Sequence, residues 1–119
     1  MIVLALILAL QVDWRHSRPS MDWTFVGASQ DVVLFTRQGP QPNLRWERQE
    51  RREGTGGALS TMTLVEVDCP GGRSRHIQGT YYDRPNLEGA VIHTNRSPSE
   101  WRYPAPDTVG ASFFRTACE

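Results

Sequence analysis

The chain has 119 residues, with thirteen basic side chains, all of them arginine, balanced by thirteen acidic ones. That length makes one domain, and a formal charge of zero excludes bulk attraction to nucleic acid or anionic lipid as the basis of its function. With no lysine, it also offers nothing to a partner that must grip an ammonium group.

Residues 1–10 carry no polar side chain, and Asp13 follows soon after. The run is too short for a membrane span, which needs about 20 apolar residues, so no stable span is expected. It reads instead as an export signal. The alternative is an apolar element packed on a cytosolic domain. No cysteine follows the leader, so no lipid anchor is expected. Residues 11–20 are polar, patternless and end in Arg18-Pro19-Ser20, a linker.

The stretches 22–28 and 31–37 are short, aromatic and β-branched, predicting strands. A proline- and glycine-rich turn over 38–43 separates them from 44–53, where two patterns compete. Glu47 and Arg51 suit helical pairing four residues apart, whereas Leu44 and Trp46 alternate. Lying between turn clusters, the stretch is expected to be a strand whose charges face water and discourage edge-to-edge association. Gly54 to Gly57 form a loop, and no lysine follows to make it a phosphate cradle.

Residues 60–69 are the clearest strand, with Thr61, Thr63, Val65, Val67 and Cys69 on one face. Pro70-Gly71-Gly72 turns the chain into a partner strand over 73–82. A loop over 83–89 leads to a last strand at 90–94, and 95–106 is irregular. The period then changes. Asp107 is placed to cap a helix over 108–117, in which Val109, Phe113 and Ala117 recur every four residues.

An apolar leader with an even cysteine count in a short chain predicts a disulfide between Cys69 and Cys118. It would staple the C-terminal helix to the end of a central strand. The closed loop of about 50 residues makes it worth roughly 4 kcal/mol, a large share of a small domain's stability. The alternative, a metal or redox pair, starts poorly from two distant cysteines without a CxxC spacing.

Nothing in the chain assembles a catalytic or cofactor site. His16, His76 and His93 stand apart with no HxH or HExxH pattern, so neither a metal nor a cofactor is expected. No GxSxG element is present. Glu66 and Asp68 share a strand face and could be drawn as paired carboxylates, but Arg73 and Arg75 across the predicted hairpin make cross-strand ion pairs the plainer reading. Arg73-Ser74-Arg75-His76 is the one concentrated basic spot, suiting an anion or glycan contact or, more simply, a solvated strand. Trp23, Trp46, Trp101 and Tyr103 read as core and sheet cover before any binding platform, though four tryptophans in so small a domain could leave an aromatic patch exposed. Trp46, with its charged neighbours, is the candidate for an exposed aromatic patch.

Several of these residues also form an ordered set. A tryptophan is followed by Val26 and Gly27; Ser60-x-x-Thr63-Leu64-x-Glu66-x-Asp68-Cys69 comes next, then arginines after the turn and Tyr81-Tyr82. The chain closes with Glu100-Trp101-x-Tyr103-Pro104-x-Pro106-x-Thr108-Val109-Gly110 and a final cysteine. Over residues 22–118 this resembles the surface-adhesin protein E family of Gram-negative bacterial envelopes.

The resemblance implies an α+β fold, a small antiparallel sheet of about six strands with a C-terminal α-helix tied by one disulfide. It divides the chain into an export signal and linker at 1–20 and the adhesin-like domain at 21–119. It also implies a non-catalytic protein in the periplasm, at the cell surface or secreted. The family's named adhesin binds vitronectin, laminin and plasminogen and forms dimers. The implied partners are therefore a host extracellular-matrix protein, another envelope protein or a second copy. Arg73, Arg75 and Trp46 are the candidate contacts. Without lysine, lysine-dependent plasminogen capture is not expected. The second reading is a periplasmic structural or accessory protein with no host ligand.

Overall fold

The computed structural model describes residues 22–52 and 57–119; the expected export signal and linker at 1–20, Met21 and residues 53–56 of the expected glycine-rich loop lie outside the described residues. Six strands form one sheet: β1 Thr24–Ala28, β2 Val32–Gln38, β3 Leu44–Arg51, β4 Ser60–Asp68, β5 Arg73–Tyr82 and β6 Val91–Asn95. A helix, α1 Val109–Ala117, follows. Each strand pairs antiparallel with its neighbour in the chain, so spatial order equals chain order. The α+β architecture and the disulfide agree with the sequence reading.

The helix supplies the missing half of the core. One sheet face presents Leu34, Val65 and Val67, and Phe113 of α1 buries against them, with Val32, Val109, Phe114 and Ala117 packed around. Helical spacing places Val109, Phe113 and Ala117 on a single stripe. The cap is Thr108 rather than Asp107. Thr108 Oγ1 accepts the Ala111 N–H at 3.1 Å, while Asp107 takes a left-handed backbone (φ 63°) just before it.

The expectation for β3 needs correction. The stretch is a strand, but it is third of six rather than an edge, and its charges do not solvate an outer face. Glu47, Arg48 and Glu50 are 6%, 3% and 1% exposed. Strands on both sides cover them, and burial is tolerated because the charges are paired and hydrogen-bonded. Arg48 Nε bonds Glu50 Oε2 at 2.8 Å, and its guanidinium lies 4.7 Å above the Phe35 ring.

The same cluster fixes the loop between β5 and β6. A short 3₁₀ turn, Pro85–Leu87, holds Asn86 (φ 65°) and Leu87 (φ 60°) in the left-handed region, a conformation that side chains other than glycine resist. Arg48 Nη2 donates to Asn86 Oδ1 at 2.8 Å. Glu50 accepts the Asn86 N–H at 3.0 Å, and Ser60 Oγ accepts the Leu87 N–H at 2.9 Å. Three buried side chains from β3 and β4 thus over-determine the turn.

Between β4 and β5 the register slips at Leu64/Val65. Leu64 faces Gln78 and Val65 faces His76, leaving Ile77 as the extra residue. The charged pairs lie between this bulge and the turn at 69–72. Beyond it Glu66 stands opposite Arg75 and Asp68 opposite Arg73.

Candidate binding site

The far end of the β4–β5 hairpin gathers most of the polar residues singled out in the sequence. Arg73 Nε bonds Asp68 Oδ2 and Arg75 Nε bonds Glu66 Oε1, both at 2.8 Å. These are the cross-strand ion pairs expected from the alternation. All four side chains remain between 24% and 37% exposed. Exposed pairs contribute little to stability, but they orient their members.

Each carboxylate is engaged through its second oxygen too. Asp68 Oδ1 accepts the Gly71 N–H at 3.0 Å, and Glu66 Oε2 accepts from Asn43 Nδ2 at 3.4 Å. Glycine is required at 71, because a Cβ there would overlap the Asp68 carboxylate. The bond from Arg73, with the Gly71 amide next, holds the Asp68 carboxyl below its ordinary range.

Trp101 completes the site. The stretch expected to be irregular runs back along β5: the Ser99 N–H bonds His76 O at 2.8 Å, and Arg102 and Ser74 exchange backbone bonds at 2.8 and 2.9 Å. Trp101 is thereby laid over both guanidiniums, 4.3 Å from Arg73 and 4.6 Å from Arg75 to the ring centroid. Alternation within 99–103 was the only sequence signal, and the pairing with β5 is non-local. Reading Trp101 as sheet cover therefore missed its position on the two arginines.

Beside this stack opens a groove of about 540 Å³ lined by Pro42, Asn43, Glu66, Asp68, Pro70 and Trp101 among others. Cys69 also lines it and is bonded to Cys118, with 5.7 Å between Cα atoms. The bond joins the residue after β4 to the C-cap of α1. Trp46 lies elsewhere. It stands opposite Leu64 on β4 and Arg37 on β2, is half-buried, and takes no part in the arginine stack. Among the described residues the exposed large apolar side chains are Phe25, Val91, Ile92 and Tyr103.

On the opposite side of β3, Glu47 accepts from Gln49 Nε2 at 2.8 Å. Burial pushes its carboxyl above the ordinary range, against the opposing pull of Gln49, His76 and Arg51. Among the described residues no three His, Cys, Asp or Glu side chains gather as metal ligands. No helix there is long and apolar enough to cross a membrane.

The family model described as surface-adhesin protein E matches residues 42–119. The chain belongs to the surface-adhesin protein E family. The matched span begins just before β3 and takes in both cysteines, the arginine–carboxylate pairs and Trp101. The family description implies contact with another molecule. Neither a curated protein nor a solved structure matches the chain.

Proposed function

We propose that the protein is an exported, non-catalytic envelope component that binds another macromolecule through the end of the β4–β5 hairpin. The observation that carries this reading is the stack of Trp101 on Arg73 and Arg75. Each guanidinium is held by a carboxylate and stands beside an open groove. Aromatic and arginine side chains fixed in place are what interface anchors are made of. Family membership supports adhesion, and the cross-linked cysteines suit an oxidising compartment outside the cytosol. The partner on this reading is a matrix protein such as vitronectin or laminin, or another envelope protein, with a homodimer as a further state.

The test immobilises the oxidised protein and titrates it with vitronectin, laminin and plasminogen at physiological salt. Saturable binding to vitronectin or laminin is expected, weakened by the Arg73→Gln/Arg75→Gln double substitution. Plasminogen is expected not to bind through lysine, since the chain has none. No binding to vitronectin or laminin would move the assignment to a periplasmic accessory role without a host ligand.

A further inference from the structure

We infer that the Arg73–Arg75–Trp101 stack is a two-pronged receptor for an extended acidic peptide segment carrying carboxylates on alternate residues. The inference rests on the binding reading above and adds the chemistry of what is bound.

The argument begins with which hydrogen-bonding capacity is used and which is left. Both oxygens of Asp68 and both of Glu66 already accept a bond. On the arginines only Nε is engaged. Among the described residues neither Arg73 nor Arg75 gives a terminal Nη to any acceptor, and both side chains are about a third exposed. Every carboxylate oxygen is thus already engaged, while the outer guanidinium donors of both arginines are left over. A guanidinium fixed through Nε and stacked on an aromatic ring has lost most of its freedom before a ligand arrives, so less ordering entropy opposes binding. What its outer edge matches is a carboxylate, through parallel N–H to O bonds.

Spacing narrows the ligand. Arg73 and Arg75 are two residues apart on one strand, on one face, so their prongs repeat at about 6.7 Å. Side chains on alternate residues of an extended peptide repeat at the same interval. A segment of the form acidic-x-acidic, lying along β5 beside the groove, presents one carboxylate to each arginine. Adjacent acidic residues point to opposite sides and cannot do so.

Charge separates this ligand from a polyanion. Arg73 and Arg75 are matched by Asp68 and Glu66, and the whole chain sums to zero. No broad positive field exists to collect heparin or nucleic acid, whose binding depends on many summed cationic contacts. Directional contact at short range is what remains.

The test uses the full-length oxidised protein and three fluorescein-labelled peptides of serine, threonine and valine background, read by anisotropy. One carries two glutamates on alternate residues, one carries them adjacent, and one carries glutamines at the alternate positions. The alternate-glutamate peptide is expected to bind about tenfold tighter than either control, with the preference falling as salt rises. Arg73→Gln/Arg75→Gln should erase the preference while the far-UV circular dichroism spectrum keeps the parent's folded form. Equal binding of the three peptides to the parent protein would overturn the inference, whatever the variant does. So would tighter binding of a heparin oligosaccharide with no peptide preference. Arginine-dependent binding of vitronectin or laminin without the peptide preference would remove the ligand chemistry and leave the binding role intact. Failure of both would remove both.

Discussion

Arg48 and Glu50 stand two residues apart on β3 and form an ion pair at 2.8 Å, with 3% and 1% of their side chains exposed. The pair has work beyond itself, because Arg48 donates to the Asn86 side chain and Glu50 accepts the Asn86 amide. Removing Glu50 takes a buried ion-pair partner from Arg48 and frees a left-handed turn from one of its anchors.

Glu50→Ala is accordingly expected to cost about 3–5 kcal/mol. Urea unfolding of the variant beside the parent measures it. A loss under 1 kcal/mol would mean that water reaches the site and takes over the carboxylate's role.

Cys69→Ser or Cys118→Ser should lower stability by roughly 4 kcal/mol while leaving the hairpin's arginine face in place. Parent and variant melting alike under oxidising conditions would contradict the staple. Two free thiols in the mass of the protein purified without reductant would rule out the pairing.

Asp68 gives a pH dependence with a definite sign. Its carboxyl is held below the ordinary range by Arg73 and the Gly71 amide. The folded state therefore prefers the ionised form, and the stabilisation is fully present above the unfolded value of about 3.9. It disappears as pH falls through the lower folded value. Asp68→Asn should be less stable than the parent at neutral pH, with the difference shrinking in acid. Urea midpoints at pH 7 and pH 3 decide the matter.

Glu47 runs the other way. Burial raises its carboxyl above the ordinary range, so the folded state binds a proton that the unfolded chain has already released. Stability is lost as pH rises from the ordinary carboxylate value through the raised one. Glu47→Gln keeps an acceptor for Gln49 and removes that loss. It should be the more stable protein at pH 7, with its advantage narrowing as the pH is lowered through the raised value. A constant advantage from pH 7 down to pH 4 would show that packing rather than ionisation is responsible.

Local patterns made the strands and the helix readable. Turn residues bracket β-branched runs, and the stripe of Val109, Phe113 and Ala117 marks α1. The Cys69–Cys118 pairing follows from having two cysteines, and alternation puts Glu66 and Asp68 across the hairpin from Arg73 and Arg75, while which meets which is read only from the register. What alternation does not contain is place in the sheet. The charges of β3 look like a solvated face until strand order puts them third of six. The bulge at Ile77 and the return of 99–102 along β5 depend on pairing between distant segments. That is why Trp101 read as cover rather than as part of the arginine stack, and why the clamp on Asn86 left no mark in the sequence at all.

Because every strand pairs with the one made just before it, the sheet can zip together in the order in which the chain is delivered. Two closures are different. Phe113 seals the Leu34–Val65–Val67 face, and Cys118 meets Cys69 one residue before the end of the sequence. Both depend on α1, so without α1 the sheet keeps a bare apolar face and a lone thiol at position 69. The oxidation state of that one sulfur therefore reports whether α1 has docked on the sheet.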